Sequence, residues 1–320
     1  MTVRWGFLGA GMIARVGLAP AVHAAGGALL QHAAARDPAR AAALGAVTTG
    51  TSYDGLLADP DVDAVYIALS NEAHLPWTLA ALRAGKHVLC EKPLGLSAGE
   101  VEQVMAVAAE TGRTAVEASW YRWHPRTRLA QQRLAGLGRV EHVTAGFTFG
   151  GVPDGNYRLD PARGGGAMYD VGCYAVSACL WAVGRGLPAE VTASSTYAGT
   201  GVDLDTRAIL DWDGVTAEVH VGIDGSEGQW LVVTGERGEL ELRDAPYTSW
   251  RDSSELWVSD GAGTERLRLP AVDAYRVMVE EVSSVLTGGP GWVLPLEQSR
   301  QTAAVLDAVR TSAAAARVAT

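Results

Sequence analysis

Short apolar runs alternate with helix-compatible stretches over the first 120 residues of the chain. "VRWGFLG" is apolar and ends in glycine, and "ALLQHAAAR" reads as a second strand that its alanines weaken by propensity. A short helix follows around residues 35–46, with Asp37 fitting the N-cap and Pro38 the first helical position. "DVDAVYIAL" at 61–69, "KHVLC" and "RTAVEAS" have the character of buried strands. Between them "HLPWTLAALRAG" predicts a helix ending at Gly85. "SAGEVEQVMAVAAETG" predicts another, opened by a Ser97–Glu100 capping box. About six such alternations predict an α/β, doubly wound parallel sheet with helices on both faces, a Rossmann domain over residues 1–122.

From about residue 140 the pattern changes. "EHVTAGFTF", "EVTASSTYA", "DTRAILDW", "VTAEVHVGI", "QWLVVTG" and "GELELR" are strand-like runs, and Asp213-Gly214 between two of them is a hairpin signal. These predict an open, mainly antiparallel sheet of about six strands with one long helix, residues 165–184, set against it. Two closing helices follow. The reading is an α+β domain over 123–320, whose C-terminal helices can pack back on the first domain. Its strands are partly apolar on both faces, which predicts a homodimer or homotetramer formed through the open sheet.

The first strand leads into "GAGMIA", residues 9–14, a G-x-G-x-x-A turn that opens a helix. Glycines there allow a tight turn and let a pyrophosphate approach the backbone at a helix N-terminus. Gly9 and Gly11 in that context predict dinucleotide binding. Arg36 lies 25 residues after Gly11, at the expected end of the second strand, and Arg40 falls one turn later. An arginine there pairs with a 2′-phosphate, which favours NADP. The competing reading makes Asp37 the ribose acid of an NAD enzyme, and a solvated surface pair accounts for the same two arginines.

In the second half Asp170 and Tyr174 stand four apart and share a helix face. "RGGGA" at 163–167 lets the backbone pass close to another element or a ligand. A tyrosine serves as general acid or base where a neighbouring cation lowers its pKa. Read alone, the pair favours a core aromatic whose hydroxyl Asp170 satisfies.

The 320 residues are 48% hydrophobic and 19% charged, ordinary globular composition for two domains. A net charge of −10 argues against nucleic-acid partners and against an anionic membrane surface. No unbroken run of 18 apolar residues appears, so no transmembrane helix is expected. The three cysteines, Cys90, Cys173 and Cys179, fit neither a disulfide framework nor a zinc spacing and read as reduced thiols of a cytoplasmic protein. The seven histidines lack ligand spacing, so no metal is expected.

Several stretches together resemble one family. They are "GAGMIA", "AGKHVLCEKPL" (84–94), "EASWYRWHPR" (117–126) and "RLDPARGGGAMYDVGCYAVS" (158–177). Over nearly its whole length the chain resembles the glucose–fructose oxidoreductase / inositol dehydrogenase / MocA family. It is most similar to the branch of dimeric dihydrodiol dehydrogenase and NADP-dependent D-xylose dehydrogenases. The resemblance implies that Lys92 stands at the domain junction beside the nicotinamide, contacts the reacting oxygen and helps lower the pKa of Tyr174. Tyr174 exchanges the proton, and Asp170 orients Lys92 or the substrate. It implies cofactor contacts at Gly9, Gly11, Met12, Ile13, Arg36, Arg40, Leu69, Asn71, His74, Glu91, Lys92, Trp120 and Arg122. Pro93 would hold the lysine's backbone, a cis bond being one way. Tyr157, Arg158 and Arg163 are the candidate substrate contacts, with surface roles as the alternative for the arginines. Ser70 stands where relatives often carry proline, a local departure in the nicotinamide-ribose loop.

The implied activity is hydride transfer between NADP and a sugar-like, polyhydroxylated substrate, aldose dehydrogenase-like or trans-dihydrodiol dehydrogenase-like. A ketoreductase on a nucleotide-linked deoxysugar uses the same Lys and Tyr. A non-catalytic NADP sensor would be expected to lose Lys92, Asp170 and Tyr174, which this chain retains.

Overall fold

The computed structural model describes residues 1–318, which fall into two compact units. In the first, among the described residues, six parallel strands form a sheet: β1 (Val3–Leu8), β2 (Ala28–Ala34), β3 (Thr48–Gly50), β4 (Ala64–Ile67), β5 (His87–Cys90) and β6 (Ala115–Glu117). Their order is β3-β2-β1-β4-β5-β6, the doubly wound arrangement whose strand order reverses between β1 and β4. The connecting helices are α1 (Ala19–Ala24), α2 (Pro38–Ala42), α3 (Tyr53–Leu57), α4 (His74–Arg83) and α5 (Ala98–Thr111). β4 is buried at every position, as expected of a strand covered on both faces. Asp37 caps α2 as the sequence suggests, accepting from the Ala39 N–H at 2.9 Å, with Pro38 at the first helical position.

The second unit opens with α6 (Pro125–Arg133) and β7 (Val140–Thr148) and continues with α7 (Cys173–Val183). Then come β8 (Glu190–Tyr197), β9 (Asp203–Asp211), β10 (Thr216–Gly222), β11 (Gly228–Gly235), β12 (Gly238–Arg243), β13 (Ser254–Asp260) and β14 (Gly263–Leu269). These eight strands, counted among the described residues, run in the order β14-β13-β12-β11-β7-β10-β9-β8. The sheet is antiparallel except for one pair: β7 runs parallel to β10 at its centre, which the strand-by-strand reading did not foresee. β9 and β10 form the expected hairpin, with Asp213 at φ 53° and Gly214 at φ 89°, both in the left-handed region such a turn requires.

α7 is buried nearly all round, the mark of a core helix rather than a surface one. It packs in one continuous core with Val143 and Ala145 of β7, Leu231 and Val233 of β11, and Val305 and Val309 of the last helix. Among the described residues, Pro161–Val183 is the one helical stretch both long and apolar enough to cross a membrane, yet 89% of its 18-residue apolar window is buried inside the protein.

Two helices close the chain, α8 (Ala274–Leu286) and α9 (Leu296–Val318). Residues Asp273–Ser299, and with them α8, belong to the first unit. The reason lies in side chains. Trp5 of β1 donates from its indole to Ser283 Oγ at 3.1 Å, and Tyr275 stacks on Trp120 with centroids 4.5 Å apart. Gly17 allows this approach: a Cβ there would sit 3.3 Å from the Tyr275 ring.

α6 carries a pH-sensitive cap. His124 is 3% exposed, accepts the Arg126 N–H on Nδ1 at 3.0 Å and has no partner at Nε2. Burial, with the Arg126 charge beside it, holds its ring down to about 4. The unfolded chain therefore takes up this proton first as pH falls, and stability is lost between about pH 6.5 and 4. The full span corresponds to roughly 3 kcal/mol. His124→Asn keeps a capping oxygen and removes the titration. Melting curves should show the variant gaining on the parent as pH drops from 7 to 4.5; parallel curves would count against this cap.

Candidate functional site

The chemistry-bearing residues fall into two groups, one within each unit. In the first, β1 ends at the sheet's reversal point and the chain turns through Gly9 at φ 94°. A Cβ on Gly9 would lie 2.5 Å from Ala68 O at the end of β4, so only glycine fits. Gly11 is open, with nothing nearer its Cβ position than Ala68 O at 3.6 Å, which leaves its backbone approachable. Beside this turn lies a cavity of about 440 Å³ lined by Ala10, Gly11, Met12, Arg15, Arg40 and neighbouring alanines. Met12 is 64% exposed into this region. Arg40 reaches back to donate to Ala10 O at 2.7 Å. Arg36 is exposed and does not line the cavity; with Arg40 its charge acts on Tyr53, whose hydroxyl burial nonetheless pushes upward. Arg15 was not singled out from the sequence. Its position four residues after Gly11, one helical turn on, was the available signal.

Two guanidinium groups at a glycine turn, outside the carboxyl ends of β1 and β4, fit a phosphorylated dinucleotide. Asp37 serves as the cap of α2 through Oδ1.

The "EKP" turn follows β5. Glu91 is buried and accepts the Tyr66 hydroxyl on Oε1 at 2.7 Å; burial pushes its carboxyl upward despite that bond. Glu117 Oε1 accepts the Leu94 N–H at 3.0 Å. His74 is 1% exposed, with Nδ1 at 2.7 Å from Pro93 O and Nε2 at 3.2 Å from Leu69 O. Burial lowers this imidazole, and the Lys92 charge adds to the effect. A neutral ring has one N–H, which the shorter contact assigns to Pro93 O. Lys92–Pro93 is cis. His74, Glu91 and Glu117 thus brace the backbone on either side of the half-buried Lys92, and Tyr66 and Glu117 are members of this brace that sequence reasoning missed. Asn71 is buried at the start of the same α4 segment, and Ile13 is half-buried at the head of the first helix. Trp120 stacks on Tyr275, which is a packing role.

In the second unit a π-helical turn, Met168–Gly172, leads into α7 and carries Asp170. Asp203, which sequence reasoning did not mark, fixes its start by accepting the Met168 N–H at 2.8 Å. Gly166, at φ 117°, passes so close to Asp203 that a side chain there would collide with it. At Gly165 a Cβ would come 2.5 Å from Arg158 O. The glycine run therefore lets two other segments of the protein in close.

Asp170 pairs with Arg158, Nε to Oδ2 at 2.6 Å, with side-chain exposures of 6% and 27%. Arg158 is thus held by an ion pair within the protein. Burial works to lower the Arg158 guanidinium, but Asp170 outweighs it and the net direction is upward, with Tyr157 and Tyr174 contributing. Arg158 and Arg163 both lie over the Tyr157 ring, at 4.9 and 5.7 Å. Tyr174 is 7% exposed, with Tyr121 and Phe147 at 5.7 Å and Tyr247 at 5.9 Å between ring centroids. Arg122 reaches Ser177 Oγ at 3.4 Å, one turn along α7 from Tyr174, and Tyr121 donates to the same oxygen at 2.9 Å. Arg122 thus has a contact within the second unit. Among the described residues, no three His, Cys, Asp or Glu side chains gather as metal ligands.

Comparison with known proteins agrees along the chain. Residues 3–119 match the oxidoreductase family with an NAD-binding Rossmann fold, and residues 127–241 the GFO/IDH/MocA C-terminal domain. A D-xylose 1-dehydrogenase (NADP⁺) of Haloferax volcanii is 38% identical over 97% of both chains. A trans-1,2-dihydrobenzene-1,2-diol dehydrogenase of Sus scrofa is 33% identical over 61% of this chain and 65% of its own. The crystal structure of KijD10, a 3-ketoreductase from Actinomadura kijaniata in complex with NADP and TDP-benzene, superposes with a TM-score of 0.90 at 29% identity, covering 98% of each chain. A nicotinamide-dependent oxidoreductase is the class that this fold and these matches define. The chain belongs to the glucose–fructose oxidoreductase / inositol dehydrogenase / MocA family.

Proposed function

We propose that the protein is an NADP-dependent dehydrogenase of an aldose or similar polyhydroxylated substrate, working through Lys92 and Tyr174. The observation that carries the cofactor reading is the pair Arg15 and Arg40 on the cavity beside Gly11. Gly9, Gly11, Met12 and Arg40 would hold the dinucleotide, with Ile13, Leu69, Asn71 and His74 along its path and Arg36 as an outer cation. When bound, the nicotinamide accepts or gives hydride, chemistry that is the cofactor's own. Lys92 donates to the reacting oxygen and steadies its negative charge. Tyr174 takes or returns the hydroxyl proton. Asp170 holds Arg158 on the Tyr174 side, and Tyr157, Arg158 and Arg163 meet the substrate's hydroxyls.

The aldose reading leans on the xylose dehydrogenase relative, similar from end to end. A second reading, reduction of a nucleotide-linked deoxysugar, is favoured by the likeness to KijD10. The same proposal takes in a cytoplasmic setting and a homodimer or homotetramer. Copies would meet on the outer face of the eight-stranded sheet, where Ile209 is 50% exposed and Trp230 lies flat across Gly146.

The test offers NADP⁺ with a panel of aldoses and polyols, and NADPH with a TDP-linked ketosugar, and follows the nicotinamide absorbance. Oxidation of an aldose supports the first reading; turnover of the TDP-linked ketosugar alone supports the second. Silence in both, from a protein that binds NADPH, would overturn the enzyme assignment. For the cofactor, Arg40→Ala should weaken NADPH at least tenfold and NADH by less than threefold, since a charge-assisted contact to phosphate is lost. Equal losses would contradict the 2′-phosphate contact.

A further inference from the structure

The chain between β12 and β13 carries no motif, yet it supplies a ring to the group around Tyr174. Tyr247 is completely buried, donates its hydroxyl to Trp230 O at 3.1 Å and donates its backbone N–H to Gln229 Oε1 at 3.3 Å. Its ring stacks on Phe147 with centroids 5.9 Å apart and an interplanar angle of 12°, and meets Tyr121 edge-on at 5.7 Å. Tyr121, Phe147 and Tyr247 thus surround the Tyr174 ring in the offset and tilted arrangements that aromatic pairs prefer. Tyr121 is tied through Ser177 to α7, the helix that carries Tyr174.

What holds Tyr247 in place is unusual. Asp244 and Ala245 stand at φ 53° and 49°, two consecutive non-glycine residues in the left-handed region. Such positions persist only where the surroundings impose them. The imposing group is Arg126, which is 1% exposed. Its guanidinium donates to the carbonyl oxygens of Arg243, of Asp244 at 3.1 Å, of Ala245 at 2.9 Å and of Glu255 at 3.4 Å. A buried guanidinium carries a large desolvation penalty unless its donors are met, and here the carbonyls of the strained turn and of Glu255 meet the two terminal nitrogens, while Nε has no hydrogen-bond partner.

We infer that Tyr247, locked by Arg126, is a positioning residue for Tyr174: it keeps the phenol ring in one orientation so that its hydroxyl stays aligned for proton transfer. This rests on the reading of Tyr174 as the acid–base group. Misplacement of about 1 Å at a reacting group lowers the rate on the order of a hundredfold.

The experiment is a double-mutant cycle, run with the fastest aldose of the panel and NADP⁺. Tyr247→Leu should lower kcat by about ten- to a hundredfold, with the NADPH dissociation constant unchanged and the near-ultraviolet dichroism of the ring group reduced. Arg126→Met should follow it, with Arg126→Lys recovering part of the rate. In a Tyr174→Phe background, Tyr247→Leu should change the residual rate by less than twofold, because the group it positions is gone. Equal losses in both backgrounds would show a general stability effect and overturn the inference. An unchanged kcat in Tyr247→Leu beside an inactive Tyr174→Phe would overturn it too, while leaving the acid–base reading intact. A fully active Tyr174→Phe would instead remove that reading itself. Should Tyr247→Leu not fold, Tyr247→Phe keeps the ring, drops the bond to Trp230 and should give a smaller loss of the same kind; no loss contradicts the inference.

Discussion

Lys92→Met should abolish turnover and leave NADPH binding nearly intact. Methionine keeps the length and most of the volume of the lysine, so the change removes a charge and little else. The turn around it is built by other residues: Glu91 on Tyr66, Glu117 on the Leu94 N–H and His74 on Pro93 O. The backbone should therefore keep its course in the variant. On the proposed mechanism, what disappears is the cation that steadies the substrate oxygen as hydride moves, an effect worth on the order of a hundred- to a thousandfold in kcat for one well-placed donor. Stopped-assay turnover and NADPH fluorescence titration check it together. A variant within tenfold of the parent rate would remove Lys92 from the chemistry. Lost NADPH binding would make its role one of cofactor retention.

Tyr174→Phe should lower kcat by roughly a hundred- to ten-thousandfold, the range of a lost general acid–base group. The ring stays, so its packing against Tyr121, Phe147 and Tyr247 stays with it, and the melting temperature should move little. The residual activity should also lose the pH dependence that the phenol imposes. Measured kcat against pH for parent and variant decides this: an unchanged profile shape, whatever the rate, would assign the proton transfer elsewhere. Asp170 and Arg158 should remain paired in the variant, since their contact does not pass through the phenol oxygen.

Local chemistry made much of this protein legible before any coordinates. The Gly9–Gly11 turn, Asp37 at the head of α2, the hairpin at Asp213-Gly214 and the strand before Lys92 each announce themselves within a few neighbouring residues. What stayed hidden depends on partners far along the chain. β13 and β14 were not read as strands because "SELWVSD" and "GTERLRL" put Glu255, Arg266 and Arg268 on their open face, and charge reads as loop. The parallel pairing of β7 with β10 is a matter of topology, which alternation of apolar residues does not encode. α8 is amphipathic in any context; only Tyr275 against Trp120 and Ser283 against Trp5 show which sheet claims it. In the site, the family motifs marked Lys92, Asp170 and Tyr174. The groups that brace the site were silent in sequence. Arg158 was marked as a substrate contact or a surface residue, but its 2.6 Å contact with Asp170 was not visible in sequence, and Arg126 met carbonyls more than a hundred residues away.

The most direct test of the account follows an atom rather than a rate. The fastest aldose of the panel, deuterated at the carbon to be oxidised, is turned over with NADP⁺, and the reduced cofactor is analysed by mass and by proton NMR. The account predicts deuterium at C4 of the nicotinamide, on one face, with a slower rate for the labelled sugar and no label transferred by Lys92→Met. Reduced cofactor without deuterium, or label transfer undiminished in Lys92→Met, would contradict it.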